Sequence, residues 1–270
     1  MKICVFGLWH LGCVTAACLA DLGFDITGLD LNGKTIDSLK KGTAPLYEPG
    51  LNDLINRGLS SGRLSFSTEP SVALSNAEVL WVTFDTPVND DDVADVKFVE
   101  DNIKSLIPFV EHGSRIIISS QVPVGFTRRI GEKTKQICPD KTLHFAYSPE
   151  NLRLGKAIRV FLEPDRIVVG TLPEEKALFS PVFSSISDRL EWMSIESAEM
   201  TKHAINAFLA ASICFANEIA VICEHVGANA KEVERGLKTE GRIGQKAYLG
   251  PGVAVSGGTL ARDIAFLSEL

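Results

Sequence analysis

The sequence predicts an α/β protein: a doubly wound, Rossmann-type parallel sheet, then a mainly helical region with one long central helix. Three observations predict it. At the N-terminus a short apolar strand runs into a glycine turn and an apolar helix. Strand-like and helix-like segments then alternate along most of the chain. From Ser197 to Glu224 no glycine or proline interrupts the sequence.

Each element follows from its composition. Lys2–Phe6 is a short apolar run ending at Gly7, as expected of a buried parallel strand. Leu11 to Leu22 is rich in Ala, Leu and Val and reads as a helix. Ile26–Leu29 is a second strand, closed by Asp30. Val79–Phe84, Arg115–Ser119, His144–Tyr147 and Arg166–Val169 read as further strands. Val99–Val110, Phe126–Gln136 and a stretch from Pro173 read as helices. The 197–224 helix is apolar around much of its circumference, the pattern of a buried helix or an oligomer interface. Glycine-rich turns follow, and Arg262–Leu270 reads as the start of another helix.

The chain has 270 residues, comfortable for two domains, here expected as 1–195 and 196–270. The net charge of −7 argues against a general nucleic-acid or membrane-surface partner, because phosphate surfaces would repel it. No signal peptide is expected before the first strand, and no apolar run is expected to reach a membrane span. Six cysteines form no CxxC pair, and Cys4, Cys13 and Cys18 sit in apolar surroundings. They read as thiols in a reducing cytoplasm. Asp90-Asp91-Asp92 reads as a solvated loop, and no metal is expected.

Gly7-Leu8-Trp9-His10-Leu11-Gly12 occupies the place of a dinucleotide-binding turn. Gly7 permits the sharp turn off the strand, and Gly12 lets the helix pack against it. The helix N-terminus then favours a diphosphate. Asp30 lies eighteen residues beyond Gly12. A carboxylate there accepts from a ribose 2′-hydroxyl and repels a 2′-phosphate, so the expected cofactor is NAD rather than NADP. The middle glycine of the motif is replaced by Trp9. Either its side chain turns outward and the site survives, or binding is weakened.

Longer motifs carry a resemblance. They include Val14-Thr-Ala-Ala-Cys-Leu-Ala20, Gly28-Leu-Asp30, Pro45-Leu-Tyr-Glu-Pro-Gly-Leu51, Asp85-Thr86-Pro87 and Ser120-Gln-Val-Pro-Val-Gly-Phe-Thr127. Further on come Tyr147-Ser-Pro-Glu-Asn-Leu-Arg153, Pro164-Asp-Arg166, Lys202-His-Ala-Ile-Asn206, Asn217-Glu218 and Gly250-Pro-Gly252 through Arg262-Asp263. In order and spacing the chain resembles the UDP-glucose/GDP-mannose dehydrogenase family, from Met1 to about Ile264. The resemblance implies an NAD domain, a long central helix that dimerises, and a C-terminal nucleotide-gripping domain, which is expected to be missing after residue 270. It also implies oxidation of a sugar alcohol to a carboxylate with two NAD, the second step through a cysteine. On the cofactor side it implicates Gly7, Trp9, His10, Leu11, Gly12, Asp30, Thr86, Pro87 and Arg262.

The chain departs from that family at the catalytic positions. Thr259 stands where the family's cysteine should be, and a threonine hydroxyl is a poor nucleophile without a dedicated base. Arg262 replaces a lysine, while Asp263 is kept. Gln121 replaces a catalytic threonine. Glu150 is retained, but the glutamate four residues on is Leu154, which cannot handle water. The losses fall on the second oxidation and on nucleotide recognition.

Lys202 and Asn206 remain, four residues apart and so on one helix face. The pair resembles that of the β-hydroxyacid dehydrogenases, which remove a single hydride. A lysine near a forming alkoxide acts as base or oxyanion stabiliser. His203 is expected on another face with a structural role, and Arg153, Arg166 and Arg242 are weaker candidates for a substrate anion. Two readings result: a two-electron NAD-dependent dehydrogenase or reductase for a small hydroxyl or carbonyl compound, such as a nucleotide sugar, or an inactive NAD- or partner-binding descendant. A homodimer through the 197–224 helix is expected in either case.

Overall fold

The computed structural model describes residues 1–89, 94–252 and 258–268, with the side chains of 258–262 outside the description. Asp90–Asp92 therefore lie outside the described residues. Eight strands form one sheet: β1 (Lys2–Phe6), β2 (Asp25–Leu29), β3 (Leu64–Ser67), β4 (Val79–Val82), β5 (Arg115–Ile118), β6 (His144–Tyr147), β7 (Ile167–Gly170) and β8 (Leu190–Met193). Their order is β3-β2-β1-β4-β5-β6-β7-β8. The first six strands are parallel, β7 runs antiparallel to β6, and β8 is parallel to β7. The strand order reverses between β1 and β4, and ligands of such sheets bind at the carboxyl ends beside that switch point.

The sheet is buried on both faces because its central strands are apolar at nearly every position past their first residue. Ile3 and Val5 of β1 join one core with Val14, Cys18, Leu54 and Phe179. Cys4 and Phe6 face the other, with Val99, Ile103, Ile130 and Ala198. Val79 and Trp81 of β4 divide from Leu80 and Val82 in the same way, as the period-two pleat requires. Hydroxyl groups tie the carboxyl ends of the strands together. Thr83 donates to the carbonyl of Phe6 at 3.0 Å, Ser119 to that of Ser148 at 2.7 Å, and Ser148 to that of Val168 at 2.9 Å.

Several expectations need adjustment. The phosphate-turn helix spans His10–Asp21, the next sequence-predicted helix Val96–Leu106, and the long helix Ile195–Val226. The last helix begins at Gly258, not Arg262. Two strands, β3 and β8, and the helices Gly33–Leu39, Leu51–Ser60 and Ala230–Thr239 were not anticipated. The expectation that no apolar run reaches a membrane span is overturned: Ile195–Val226 is long and apolar enough by length and composition. That helix is not widely buried either. Phe208, Phe215, Val221, Ile222 and Val226 are all exposed.

The chain divides into two compact units, one of Met1–Pro87 with Asp95–Met200, the other of Val88–Ala94 with Thr201–Leu270. The division falls inside the long helix.

Candidate functional site

In the first unit the phosphate turn is built as the sequence requires. Gly7 has φ +95°, and a Cβ there would lie 2.8 Å from the Phe84 ring. A Cβ on Gly12 would lie 1.9 Å from the carbonyl oxygen of Gly7. No side chain larger than hydrogen fits, so helix His10–Asp21 sits directly on the turn. No side chain caps its N-terminus and no acidic residue occupies its first turn. Its leading N–H groups and positive dipole end suit a diphosphate. Leu11 is buried in this first turn.

Trp9 is 49% exposed, so its indole is not packed into the core beneath the turn. Asp30 ends β2 beside the turn: one carboxylate oxygen accepts from the Leu8 N–H at 2.8 Å, the other from the Asn32 N–H at 2.9 Å. These bonds hold the carboxylate at the carboxyl end of β2, beside the phosphate turn. The residues present thus fit a dinucleotide, on the cradle that Gly12 leaves and the carboxylate that Asp30 supplies.

Around this turn the structure joins two sequence-predicted residues. The Thr86 hydroxyl donates to the backbone carbonyl of Gln121 at 2.5 Å, and both side chains are buried. Pro87 is exposed at the end of the same loop. Glu150 is half-buried, and its carboxylate accepts from the Leu152 N–H at 2.7 Å. Leu154 is exposed. Arg153 and Arg166 are exposed as well, and Arg242 pairs with Glu240 at 2.9 Å.

Two acidic residues of this unit were missed. Glu48 is buried, and its carboxylate contacts His10, Gly155 and Ala157. Glu199, fully buried, accepts from the N–H groups of Thr127 at 2.9 Å and Gly125 at 2.5 Å. It thereby caps helix Phe126–Ile137 and anchors the turn that follows Gln121. Burial pushes the Glu199 carboxyl up, against the opposing pull of those donors. Three thiols are inert: burial raises Cys4 and Cys13 far above the ordinary range, and Cys18 to about 12.

In the second unit Lys202, His203, Asn206 and Asp263 are all buried. His203 Nδ1 lies 2.7 Å from one oxygen of Asp263, and Asn206 Nδ2 donates to the other. His203, expected on another face from Lys202 with a structural role, shares Asp263 with Asn206. The signal was available, since residues 203 and 206 are three apart and so neighbours on a helix. The His203 ring also meets the edge of Phe266. Asn217 accepts from the Gly252 N–H at 2.9 Å, which fixes the start of the glycine-rich segment. The side chains of Thr259 and Arg262 lie outside the described residues. Among the described residues no cluster of His, Cys, Asp and Glu could hold a metal ion.

Residues 1–187 match the model of the UDP-glucose/GDP-mannose dehydrogenase family, NAD binding domain, and residues 196–270 match the central domain of the same family. The chain belongs to the UDP-glucose/GDP-mannose dehydrogenase family. Its N-terminal region is the family's NAD-binding domain, and NAD is the cofactor this indicates. The UDP-glucose 6-dehydrogenase YwqF of Bacillus subtilis is 34% identical over 272 residues, covering 100% of this chain and 62% of the relative. The UDP-glucose 6-dehydrogenase of Rhizobium meliloti is 34% identical, covering 93% of this chain and 60% of the relative. A UDP-glucose dehydrogenase structure from Pyrobaculum islandicum superposes with TM-score 0.90 at 30% identity, covering 99% of this chain and 63% of that one. A GDP-mannose dehydrogenase from Pseudomonas aeruginosa gives TM-score 0.84 at 27% identity, covering 100% and 64%. This member of the family thus spans about three fifths of the length of these relatives.

Proposed function

We propose that the chain is a two-electron NAD-dependent dehydrogenase acting on an alcohol–carbonyl pair. NAD supplies the hydride acceptor when bound. Gly7, Gly12 and the helix N-terminus hold its diphosphate and Asp30 its ribose; His10, Leu11, Thr86 and Pro87 complete the cofactor side, to which Arg262 is assigned by the family resemblance alone. Lys202 takes the alcohol proton or steadies the alkoxide, and Asn206 orients the hydroxyl. Asp263 holds Asn206 in place. Glu150, Gln121 and Thr259 hold positions that the family resemblance assigns to catalysis, and none of the three supplies a thiol for a covalent intermediate.

The observation that carries this reading is the retained group of Lys202, Asn206 and Asp263, buried together with His203. Buried polar residues on an otherwise apolar helix need a reason to persist. The cysteine chemistry of the second oxidation has no matching thiol, because Thr259 occupies its position. The substrate is a small hydroxyl or carbonyl compound, and the nucleotide sugars named for the relatives are the first class to try. The division of labour is an NAD domain over 1–195 and a helical domain over 196–270. The exposed Phe208, Phe215, Val221 and Ile222 support a homodimer through the long helix. The buried thiols of Cys4, Cys13, Cys18 and Cys223 suit the cytoplasm.

The test is NADH formation across a panel of nucleotide sugars and hydroxy acids. One NADH per substrate is expected, with activity lost in Lys202→Ala. Two NADH per substrate, or full activity in that variant, contradicts the reading. Trp9, Gln121, Leu154 and Thr259 favour a second reading, an inactive descendant that binds NAD or a partner. Tight NAD binding with no turnover on any substrate of the panel would support it.

A further inference from the structure

Glu48 belongs to none of the roles above, yet it is among the most enclosed charged groups of the first unit. Its side chain is 1% exposed. One carboxylate oxygen, Oε2, lies 3.0 Å from His10 Nε2 and also accepts from the Gly155 N–H at 2.8 Å. The other, Oε1, accepts from the Ala157 N–H at 2.9 Å. Burial pushes this carboxyl up, but the His10 hydrogen bond and the two backbone donors outweigh it and hold the group below the ordinary range. Glu48 is therefore ionised near neutral pH and acts only as an acceptor. Nε2 of His10 must then carry a proton, which fixes how the ring presents itself at the phosphate turn.

The three donors come from two places that matter. His10 opens the helix on which the cofactor diphosphate is expected. Gly155 and Ala157 end the segment that begins at Glu150, whose own carboxylate closes on Leu152. Gly155 has φ +83°, so the chain turns sharply to present its N–H. Segment 150–157 is held by Glu150 at its start and by Glu48 at its end. Two of the three donors are backbone groups with little freedom. The imidazole is the donor that can shift, and it shares Oε2 with Gly155. The phosphate turn and Gly155 thus meet on one carboxylate oxygen, although they lie far apart along the chain.

We propose that Glu48 is a positioning residue that couples the cofactor turn to the segment carrying Glu150. It rests on the NAD reading above, because the coupling matters when cofactor occupies the turn. Cofactor binding orders His10, His10 fixes Glu48, and Glu48 fixes the segment that presents Glu150.

Amide hydrogen exchange on the full chain tests it, with NADH as the probe. In the unliganded protein, His10→Leu removes the donor and should raise exchange over residues 152–157 about tenfold, with β4 unchanged. His10→Gln keeps an N–H donor and should restore protection. Glu48→Gln should loosen the 8–12 turn and the 152–157 segment together. Added NADH should protect both segments in the wild type and only the turn in His10→Leu. Unchanged exchange at 152–157 in His10→Leu overturns the proposal, as does a loss of protection spread evenly over the sheet. NADH protection confined to the turn in the wild type also overturns it. If NADH protects neither segment while the unliganded effect is present, the NAD reading fails and the Glu48 link stands.

Discussion

In the first unit the apolar side chains of the central strands are covered and polar ones are aimed at a turn; along the long helix of the second the arrangement is reversed. Ile3, Val5, Phe6, Val79 and Val82 are wholly enclosed between two layers of helices. Along the long helix Phe208, Phe215, Val221, Ile222 and Val226 are exposed, whereas Lys202, His203 and Asn206 are buried with Asp263. The first unit is held mainly by apolar burial, which tolerates conservative exchange. Among the described residues the second unit leans on a few buried hydrogen bonds, and losing one partner leaves the others unsatisfied. Damage to the two units should therefore differ in kind.

The largest effect that would break this contrast is expected at Gly12. Gly12→Val places a side chain where a Cβ already lies 1.9 Å from the Gly7 carbonyl. NADH binding should vanish and stability should fall by about 3 kcal/mol, read by titration and thermal unfolding. Normal NADH affinity in this variant would show that the helix does not need its close approach to the turn. Next comes Asp263→Ala, which strips His203 and Asn206 of their shared acceptor. A loss of about 2 kcal/mol, confined by hydrogen exchange to Thr201–Leu270, is expected. A loss spread into β1 and β4 would undo the contrast.

A smaller effect concerns two buried glutamates of the first unit. Glu48 has a lowered folded-state pKa, so its contribution is complete above the ordinary carboxylate range and fades as pH falls through the lowered value. Glu199 is raised by burial, so the charged form weighs on stability above its raised value and is relieved as pH falls through that value. Unfolding midpoints from neutral to acid pH should show Glu48→Gln destabilised by about 1 kcal/mol at neutrality and converging on the wild type in acid. Against Glu199→Gln, the wild type should gain ground as pH falls toward the ordinary carboxylate range. Parallel curves for either variant would assign these groups no pH-linked role.

The strand–turn–helix–strand–Asp30 unit was legible because its signals are local: an apolar run, two glycines and a carboxylate at fixed spacing. β3 was not, since Leu64-Ser-Phe-Ser67 is short and buries only alternate residues. β8 escaped for a similar reason, being only half-buried along its length. Helix Ala230–Thr239 carried a readable cap, Asn229, whose side chain accepts from the Lys231 N–H at 3.0 Å, and the spacing of Val233 and Leu237. The site was legible where residues act through type, as with Asp30 and Lys202. Glu48 and Glu199 act through partners far along the chain: Glu48 meets Gly155 across 107 positions and Glu199 meets Thr127 across 72. No local pattern marks such pairs. Trp9 was ambiguous in sequence because only the direction of its side chain decides its effect.

The central claim is that this turn holds NAD through Gly12 and Asp30 despite Trp9. Calorimetry of NAD and NADP on the wild type and on Asp30→Ala tests it most directly. NAD should bind the wild type, NADP should bind at least tenfold more weakly, and Asp30→Ala should lose that preference. Failure of NAD to bind the wild type, or equal affinity for the two dinucleotides, would contradict the account.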